Sequence, residues 1–233
     1  MTAPMRIGVT TTADAVDRLV EPLVAAGFVP VILPCIRIDP AREEVLRRLR
    51  VAASTADWVF ATSARALRLT WPDGAMPPTR VAAVGDSTAG AAEALGGDVT
   101  LVGDGGAADL ARRLAPHLAG AVVVYPAARG ADPETAAILE DGGARVVTEA
   151  AYVTVPIAPD HHPVDGVVFG SPSAVAGWRL SRPLTDLAVV AAMGPSTAAA
   201  LAAEGRPADI VPDPPRLDLI VAALAAAAER TPA

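Results

Sequence analysis

The sequence predicts an α/β protein built from two similar lobes, each a parallel sheet flanked by helices. Apolar segments of strand length alternate with amphipathic or alanine-rich segments along the 233 residues, a pattern typical of parallel sheets covered by helices. One motif also occurs twice, as VAAVGDSTAGAAEALG at 81–96 and as VAAMGPSTAAALAAEG at 190–205. We therefore interpret the chain as an internal duplication of one α/β unit.

Each copy of the motif predicts a buried strand, a tight turn and a helix. The apolar run suits a strand, and the alanine-rich run closed by glycine suits a capped helix. Serine or threonine at the helix start leaves backbone N–H groups unpaired and a hydroxyl pointing outward. Such a turn predicts a site for an anionic group.

Further pairs of segments extend the repeat. DWVFATSARAL at 57–67 aligns with DGVVFGSPSAV at 165–175, and GFVPV at 27–31 aligns with GARVV at 143–147. The extended segment CIRIDP at 35–40 corresponds to AYVTVP at 151–156. The two halves thus carry the same order of elements.

The first half opens with a β-α-β unit, because helical periodicity between two apolar runs ends at Gly27. A charged amphipathic segment and the glycine-rich turn GDGG mark later helix starts. In chain order we expect a strand at 5–10, a helix at 13–26, a strand at 28–34, an extended segment at 35–40, a helix at 43–53, a strand at 57–61, a helix at 64–70, a loop at 72–78, the first motif copy, a strand at 99–102 and a helix at 107–118.

The second half repeats this alternation. In chain order we expect a strand at 121–125, a helix at 133–141, a strand at 144–147, an extended segment at 151–156, a strand at 165–169, a helix near Trp178, the second motif copy, a short strand at 210–212 and a final alanine-rich helix at 217–230.

Composition and charge exclude several classes of function. The formal net charge is −7, so no basic field is present to bind nucleic acid or an anionic membrane. No apolar run approaches a transmembrane span, and the N-terminus does not read as a signal peptide. Cys35 is the only cysteine, which excludes intrachain disulfides and thiolate metal clusters. We expect a soluble cytoplasmic protein without a metal site.

Ligands of parallel α/β sheets bind beyond the carboxyl ends of the strands, where the hydroxyl-rich turns of this chain fall. Two arginines, Arg65 and Arg129, follow such turns and could pair with carboxylates. The alternatives stay open: each hydroxyl could be a plain helix cap, and each arginine a solvated surface residue. The candidate anion-binding residues of the turns are Thr62, Ser63, Ser87, Thr88, Ser171, Ser173, Gly194, Ser196 and Thr197.

The ordered set of motifs resembles the uroporphyrinogen-III synthase family over essentially the whole chain. The resemblance rests on VFATSARAL, both motif copies, VVVYPAARG at 122–130, GGARVVTEAAYVTVP at 142–156 and DGVVFGSPSAV. It implies a HemD-like fold of two lobes joined by two extended strands. The first lobe would be 1–35 with 157–233 and the second 41–150, joined by connectors 35–40 and 151–156, with the motif copies facing a shared cleft.

The resemblance also implies an activity. The family closes the linear tetrapyrrole hydroxymethylbilane into uroporphyrinogen III, inverting ring D and losing water, without a metal or an organic cofactor. Catalysis would consist chiefly of positioning the substrate, and the turns would hold its carboxylates. Tyr152 in the AYVTVP connector corresponds to a tyrosine of the family pattern that faces the cleft and assists loss of the hydroxyl. The alternative for Tyr152 is an aromatic residue that anchors an interdomain strand. A monomer is implied, with hydroxymethylbilane synthase as a possible source of substrate.

One departure from the family pattern keeps alternatives open. The family's first strand often ends in Thr-Arg, whereas here Thr10 is followed by Thr11 and Thr12, so a carboxylate-binding arginine is missing. A non-catalytic intracellular protein that binds tetrapyrroles or other polyacids on the same fold is the alternative. A nucleotide-binding α/β enzyme is a third reading, although GDGGAAD at 103–109 lacks the spacing of a dinucleotide fingerprint.

Overall fold

The computed structural model describes residues 4–12, 17–214 and 216–230. The described residues form two compact units, one from 1–38 with 154–233 and the other from 39–153. Helices and strands alternate as β1 (Arg6–Val9), α1 (Asp17–Ala25), β2 (Val29–Ile32), β3 (Ile36–Pro40), α2 (Glu43–Ala53), β4 (Trp58–Ala61), α3 (Ala64–Thr70), β5 (Arg80–Val84), α4 (Asp86–Ala94), β6 (Asp98–Gly103), α5 (Ala107–Leu114), β7 (Val122–Ala128), α6 (Pro133–Asp141), β8 (Arg145–Pro156), β9 (Gly166–Phe169), α7 (Pro172–Arg179), β10 (Val189–Ala192), α8 (Pro195–Ala203) and α9 (Leu217–Arg230).

The first unit contains a four-stranded parallel sheet in the order β10-β9-β1-β2. Strands β9 and β10 are short apolar runs buried on both faces, as parallel strands under helices must be, whereas the edge strand β2 is partly exposed. Side chains alternate between two cores. Val167 and Phe169 pack in a core with Trp178 of α7, whereas Val168 packs on the other face with Ile220 of α9.

The larger sheet has the order β3-β8-β7-β4-β5-β6. Its strands β4 to β8 run parallel and form the sheet of the second unit, whereas β3 spans the division at 38/39. One face carries Trp58 and Phe60 of β4, which pack in a core with Leu110 of α5 and Leu139 of α6. Helices α2, α3 and α4 contact β7 and β5. Helices therefore cover both faces, and the expected α/β class with parallel sheets is confirmed.

The helices follow the sequence closely. Helices α2, α3, α6 and α9 have the expected bounds. Helix α5 ends at Leu114 rather than at 118, because Pro116 lacks a backbone N–H, and a 3-10 turn covers Ala115–His117. The expected first helix begins at 13, but residues 13–16 lie outside the described residues.

Two strand expectations are corrected. The segments 144–147 and 151–156 form one continuous strand, β8, whose N-terminal part pairs with β7 from Arg145 to Tyr152. No glycine or proline interrupts 144–155, so nothing stops the ladder between them. The expected strand at 210–212 is only an isolated bridge between Ile210 and Ala191. The division into units falls at 38/39 and 153/154, inside both segments expected as connectors.

Among the described residues, no helix is long and apolar enough to cross a membrane. The two motif copies form equivalent structures, since each is a strand, a glycine and a helix: β5, Gly85 and α4 in one copy, and β10, Gly194 and α8 in the other. This equivalence agrees with the interpretation of a duplicated unit, which stays a prediction.

Helix α7 packs closely against the backbone of Cys35 and Ile157 in the first unit, and this contact gives a stability prediction. A Cβ atom on Gly177 would lie 1.9 Å from the Cys35 carbonyl oxygen and 2.7 Å from the Ile157 carbonyl oxygen. Gly177→Ala should lower the free energy of unfolding by about 2 kcal/mol or more, because backbone must move. Chemical unfolding of the purified variant measures the change.

Gly90 of α4 is the matched control, since a Cβ atom there meets nothing within 4 Å. Gly90→Ala should raise the free energy of unfolding by about 0.5–1 kcal/mol, as expected for alanine in place of glycine inside a helix. Equal effects of the two substitutions would contradict the packing described for α7.

Candidate functional site

Hydroxyl-bearing turns lie at the carboxyl edge of each sheet. In the second unit, Thr62 and Ser63 follow β4, Ser87 and Thr88 open α4 after β5, and Arg129 follows β7. In the first unit, the turns after β9 and β10 occupy the same edge of their sheet, and they contain Ser171, Ser173, Gly194, Ser196 and Thr197. The topology thus brings the candidates of each unit to one edge, as the sequence predicted.

The two motif copies differ from the expectation of a side-chain cap. The N-cap residues are Gly85 and Gly194, and neither helix has a side-chain cap. Gly85 has a φ of 73°, in the left-handed region that favours glycine. The cap interpretation of Ser87, Thr88, Ser196 and Thr197 is therefore wrong.

Exposure separates the serines from the threonines of the motif. Thr88 and Thr197 are buried, with 5% and 2% of their surface exposed, and their backbone N–H groups donate to the carbonyls of Gly85 and Gly194 at 3.1 Å. Ser87 and Ser196 are exposed in the first turn of their helices. Only the serine hydroxyls match the outward orientation that the sequence predicted.

The other two turns have true serine caps. The Ser63 Oγ accepts from the Ala66 N–H at 3.4 Å, and the Ser171 Oγ accepts from the Ala174 N–H at 3.3 Å. One lone pair of each hydroxyl is thereby used, while its proton can still be donated. Capping and ligand binding are thus compatible at these two residues.

Tyr152 lies on β8 beside the turn that follows β4. Its hydroxyl is 3.4 Å from the Ser63 Oγ, and the residue is 8% exposed. The Arg65 guanidinium lies 5.9 Å from the centre of its ring, within the range of a cation–π contact. The exposed Arg129 is tied to the same residue, because its backbone N–H donates to the Tyr152 carbonyl at 2.7 Å. Four candidates therefore form one cluster: Tyr152, Ser63, Arg65 and Arg129.

Tyr125 belongs to this cluster, and the sequence analysis missed it. Its hydroxyl is hydrogen-bonded to Thr62, and burial raises the pKa of the phenol. Its ring meets Phe60 edge to face, with 5.2 Å between centroids. Only the pairing of β7 with β4 reveals this neighbourhood, and no local sequence signal indicates which strands pair.

The described residues that follow β1, Thr10 to Thr12, include no cation, in keeping with the departure seen in the sequence. The buried Thr10 hydroxyl donates to the Val168 carbonyl at 2.8 Å, so this side chain links β1 to β9. Among the described residues, no group of three or more His, Cys, Asp or Glu side chains could hold a metal ion. The three histidines are exposed.

A family model described as uroporphyrinogen-III synthase HemD matches residues 17–222. The chain belongs to the uroporphyrinogen-III synthase family. The resemblance read from the motifs is therefore confirmed, and with it membership of a family of cyclising enzymes of tetrapyrrole biosynthesis. Comparison with curated protein sequences finds no match.

Solved uroporphyrinogen-III synthases share the fold of this family member. One is the enzyme of Helicobacter pylori 26695, with a TM-score of 0.66 and 15% identity, covering 97% of this chain and 100% of that chain. Another is a mutant of the enzyme of the extremely thermophilic bacterium Thermus thermophilus, with a TM-score of 0.63 and 20% identity, at the same coverage. At these identities the likeness shows the fold alone.

The single thiol of this synthase-family chain is not available as a nucleophile. Cys35 is fully buried, and burial raises the pKa of its thiol to about 12. The thiol therefore stays protonated at neutral pH, and the thiolate is the reactive form. The hydroxyls and N–H groups of the turns remain as the polar groups of the candidate site.

Burial of Cys35 predicts a loss of stability in alkali. The Cys35 thiol has its pKa raised from 9.0 to about 12 in the folded protein. Its contribution to the free energy of unfolding is therefore complete below pH 9, where the thiol is neutral in both the folded and the unfolded chain. That contribution falls by on the order of 1 kcal/mol for each pH unit from about 9 towards 12, because only the unfolded thiol ionises. Urea unfolding at pH 8 and pH 10 measures the fall.

Cys35→Ala is the control for this titration. The chain contains no lysine, so few other side chains titrate in this range, chiefly the two tyrosines. The variant should lose less stability than the wild type between pH 8 and 10. Identical losses in both proteins would show that the thiol contributes nothing to the alkaline transition.

Proposed function

We propose that this chain is an active uroporphyrinogen-III synthase, which closes hydroxymethylbilane into uroporphyrinogen III with inversion of ring D and loss of water. The observation that carries the proposal is the cluster at the carboxyl edge of the second unit. There a tyrosine hydroxyl, two turn hydroxyls and an arginine lie beside one another in a chain of this family. The other candidate turns supply further donors for an anionic substrate.

The reaction needs a proton at the leaving oxygen. The bond between the hydroxymethyl carbon and its oxygen breaks, the oxygen leaves as water, and the chain is left as an electrophilic azafulvene. The substituted carbon of ring D then attacks and becomes a spiro centre. Its bond to the bridge carbon of ring C breaks, which regenerates an azafulvene on ring C, and the unsubstituted α carbon of ring D attacks that azafulvene. The proton of this last carbon is lost when the macrocycle is complete. A donor that protonates the departing hydroxyl lowers the first barrier.

Tyr152 is the proposed donor. Its side chain is mostly buried, and its hydroxyl meets Ser63, so the oxygen atom has a defined place at the edge of the sheet. The Arg65 cation near its ring favours an anionic group in the same neighbourhood. Tyr152 would turn its proton from the Ser63 Oγ to the leaving hydroxyl, and the Ser63 hydroxyl would in turn donate to the phenol oxygen and keep it in position.

The candidate turns would bind the carboxylates of the substrate. Each contact of a carboxylate with the N–H groups of a helix start is worth about 0.3–1 kcal/mol when exposed, so several contacts are needed. In the second unit the proposed groups are Thr62, Ser63, Arg65, Ser87, Thr88 and Arg129. In the first unit they are Ser171, Ser173, Gly194, Ser196 and Thr197.

The residues proposed to contact carboxylates differ in solvent exposure. Ser87, Ser196 and Arg129 are exposed and need no rearrangement to meet a carboxylate. Thr88 and Thr197 are buried and bonded through their own backbone, so their part is to fix the turn that presents the neighbouring serine. The proposal includes no cofactor and extends to a cytoplasmic monomer supplied by hydroxymethylbilane synthase, a part that rests on the family resemblance.

A second candidate function is a non-catalytic protein that binds tetrapyrroles or other polyacids. The end of β1 favours it, because threonines occupy the described positions 10–12 where the family often has arginine, and the Thr10 hydroxyl donates to the Val168 carbonyl. Such a protein would use the same turns to bind its ligand but would not catalyse the cyclisation. The nucleotide-binding reading has no structural observation in its favour.

Substitution of Tyr152 tests the proposed donor. Tyr152→Phe should lower kcat about a hundredfold or more, because the proton must then come from water. KM and the melting temperature should change little, since the ring and its packing are kept. Steady-state kinetics with enzymatically generated hydroxymethylbilane, together with thermal unfolding, measures all three.

Tyr125→Phe is the matched control, since it removes the other tyrosine hydroxyl of the same cluster. It should cost about 1 kcal/mol of stability through the lost bond to Thr62 and affect kcat less than Tyr152→Phe. A Tyr152→Phe variant with wild-type kcat would remove Tyr152 from the mechanism.

Product analysis tests the function itself. Hydroxymethylbilane cyclises without help to the type I isomer, so a synthase is recognised by type III product. We expect predominantly type III product when the chain is added to a reaction that generates hydroxymethylbilane in place, with isomers separated by chromatography. Type I product alone, from folded protein that binds the bilane, would favour the second candidate.

A further inference from the structure

The second tyrosine of the candidate cluster, Tyr125, is enclosed by the core of the second unit. Its exposed fraction is 2%, so a substrate does not reach its side chain without rearrangement of the sheet edge. Burial also raises the pKa of its phenol, so the hydroxyl stays protonated and neutral at neutral pH. A buried, neutral hydroxyl that touches no substrate can affect a reaction only through the groups that it holds in place.

The Tyr125 side chain links β7 to the end of β4. The backbones of the two strands pair at residues 58–59 of β4. Further along, the Tyr125 ring meets the Phe60 ring edge to face, with 5.2 Å between centroids, and the Tyr125 hydroxyl is hydrogen-bonded to Thr62. The chain leaves the sheet at this point, because α3 begins at Ala64. The phenol therefore restrains the turn at which the chain passes from strand to helix.

Ser63, the next residue, connects this turn to Tyr152. Its Oγ caps α3 by accepting from the Ala66 N–H at 3.4 Å, and it also lies 3.4 Å from the Tyr152 hydroxyl. A hydrogen bond between two hydroxyls is usually about 2.7–2.8 Å long, so the contact with Tyr152 is close to the limit of a hydrogen bond. A small displacement of the turn would break it, and the Tyr152 hydroxyl would then lose its defined place.

We propose that Tyr125 is a positioning residue for the cyclisation, which holds the Thr62–Ser63 turn and, through that turn, the Tyr152 hydroxyl. The effect on turnover rests on the proposed function, whereas the restraint on Tyr152 is a property of the free protein. The competing interpretation is a purely structural residue, whose hydroxyl stabilises the fold without affecting the position of Tyr152.

Fluorine NMR of the free, full-length chain tests the restraint without turnover. The chain contains two tyrosines, so replacement of both by 3-fluorotyrosine gives resonances that Tyr125→Phe and Tyr152→Phe assign. The Tyr152 resonance should shift in Tyr125→Phe, because phenylalanine keeps the ring but loses the bond that restrains Thr62. An unchanged Tyr152 resonance would overturn the proposal.

Thr62→Val separates a restraint through the turn from a direct effect of the Tyr125 hydroxyl on Tyr152. It should shift the Tyr152 resonance as Tyr125→Phe does, and the double variant should shift it no further, because both substitutions remove the same hydrogen bond. Additive shifts would show that the Tyr125 hydroxyl acts on Tyr152 directly and would overturn the proposed route through Thr62.

Thr79→Val is the matched control for loss of a buried hydroxyl in the same unit. The Thr79 hydroxyl donates to the Ala53 carbonyl at 3.3 Å, but Thr79 precedes β5 and so lies at the opposite edge of the sheet from the candidate turns. The melting temperature should fall in both Thr79→Val and Tyr125→Phe, whereas the Tyr152 resonance and kcat should change only in Tyr125→Phe. Equal changes in both variants would show an effect of stability alone and contradict the positioning role.

A kinetic double-mutant cycle tests the consequence for the reaction. Tyr125→Phe should lower kcat about threefold to tenfold with little change in KM, because a small misplacement of a reacting group slows the chemical step. In the Tyr152→Phe background it should lower kcat by about twofold or less, since the group that it positions is already absent. An unchanged kcat in the first case, or the same factor in both backgrounds, would contradict positioning of Tyr152.

Failure of the proposed function would give a different result. Type I product alone from the wild type contradicts the synthase activity, while the Tyr152 fluorine resonance still shows whether Tyr125 holds that residue. Type III product from the wild type, together with a Tyr152 resonance that is the same in Tyr125→Phe, contradicts the positioning role alone.

Discussion

The candidate site depends on the pairing of strands that are far apart in the chain. Strand β4 pairs with β7, and β7 pairs with β8, so the turn after β4 meets two tyrosines from later in the sequence. Thr62 is bonded to Tyr125, and the next residue, Ser63, lies against the Tyr152 hydroxyl. Two consecutive hydroxyls are thus held by two phenols. A different strand order would leave the same residues at the edge of a sheet but separate them from one another.

Small side chains make this strand arrangement compact. Only 3% of the residues are aromatic, and alanine supplies much of the buried surface of β5 and α4. Helices of this kind approach a sheet closely because little side chain separates the backbones. Gly177 is the extreme example, since the Cys35 carbonyl occupies the space that a Cβ atom would need. The same close packing buries the Cys35 thiol and holds its pKa near 12.

The sequence predicted what depends on local pattern. Helix bounds at α2, α3, α6 and α9 follow from periodicity and from the residues that end helices, and the carboxyl-edge position of the turns follows from parallel topology. Local sequence pattern did not predict the extent of a strand where pairing with a neighbouring strand determines it. Strand β8 continues through a segment expected as separate because β7 lies beside it, and Ile210 forms only a bridge. The position of Tyr125 beside Thr62 becomes visible only through nonlocal contacts.

The two copies of the repeated motif are not equivalent towards an anion. Both helices begin after a glycine cap, and both expose a serine in the first turn. Helix α4, however, begins with Asp86, whose carboxylate already lies where the positive end of the helix dipole would attract a ligand. Helix α8 begins with Pro195 and has no acidic residue in its first turn. Its proline lacks an N–H, but its dipole stays uncompensated, so Ser196 stands in the more attractive field for a carboxylate. Aspartate in one copy and proline in the other therefore make the α8 turn the stronger of the two proposed contacts for a carboxylate, although the two turns share one backbone arrangement.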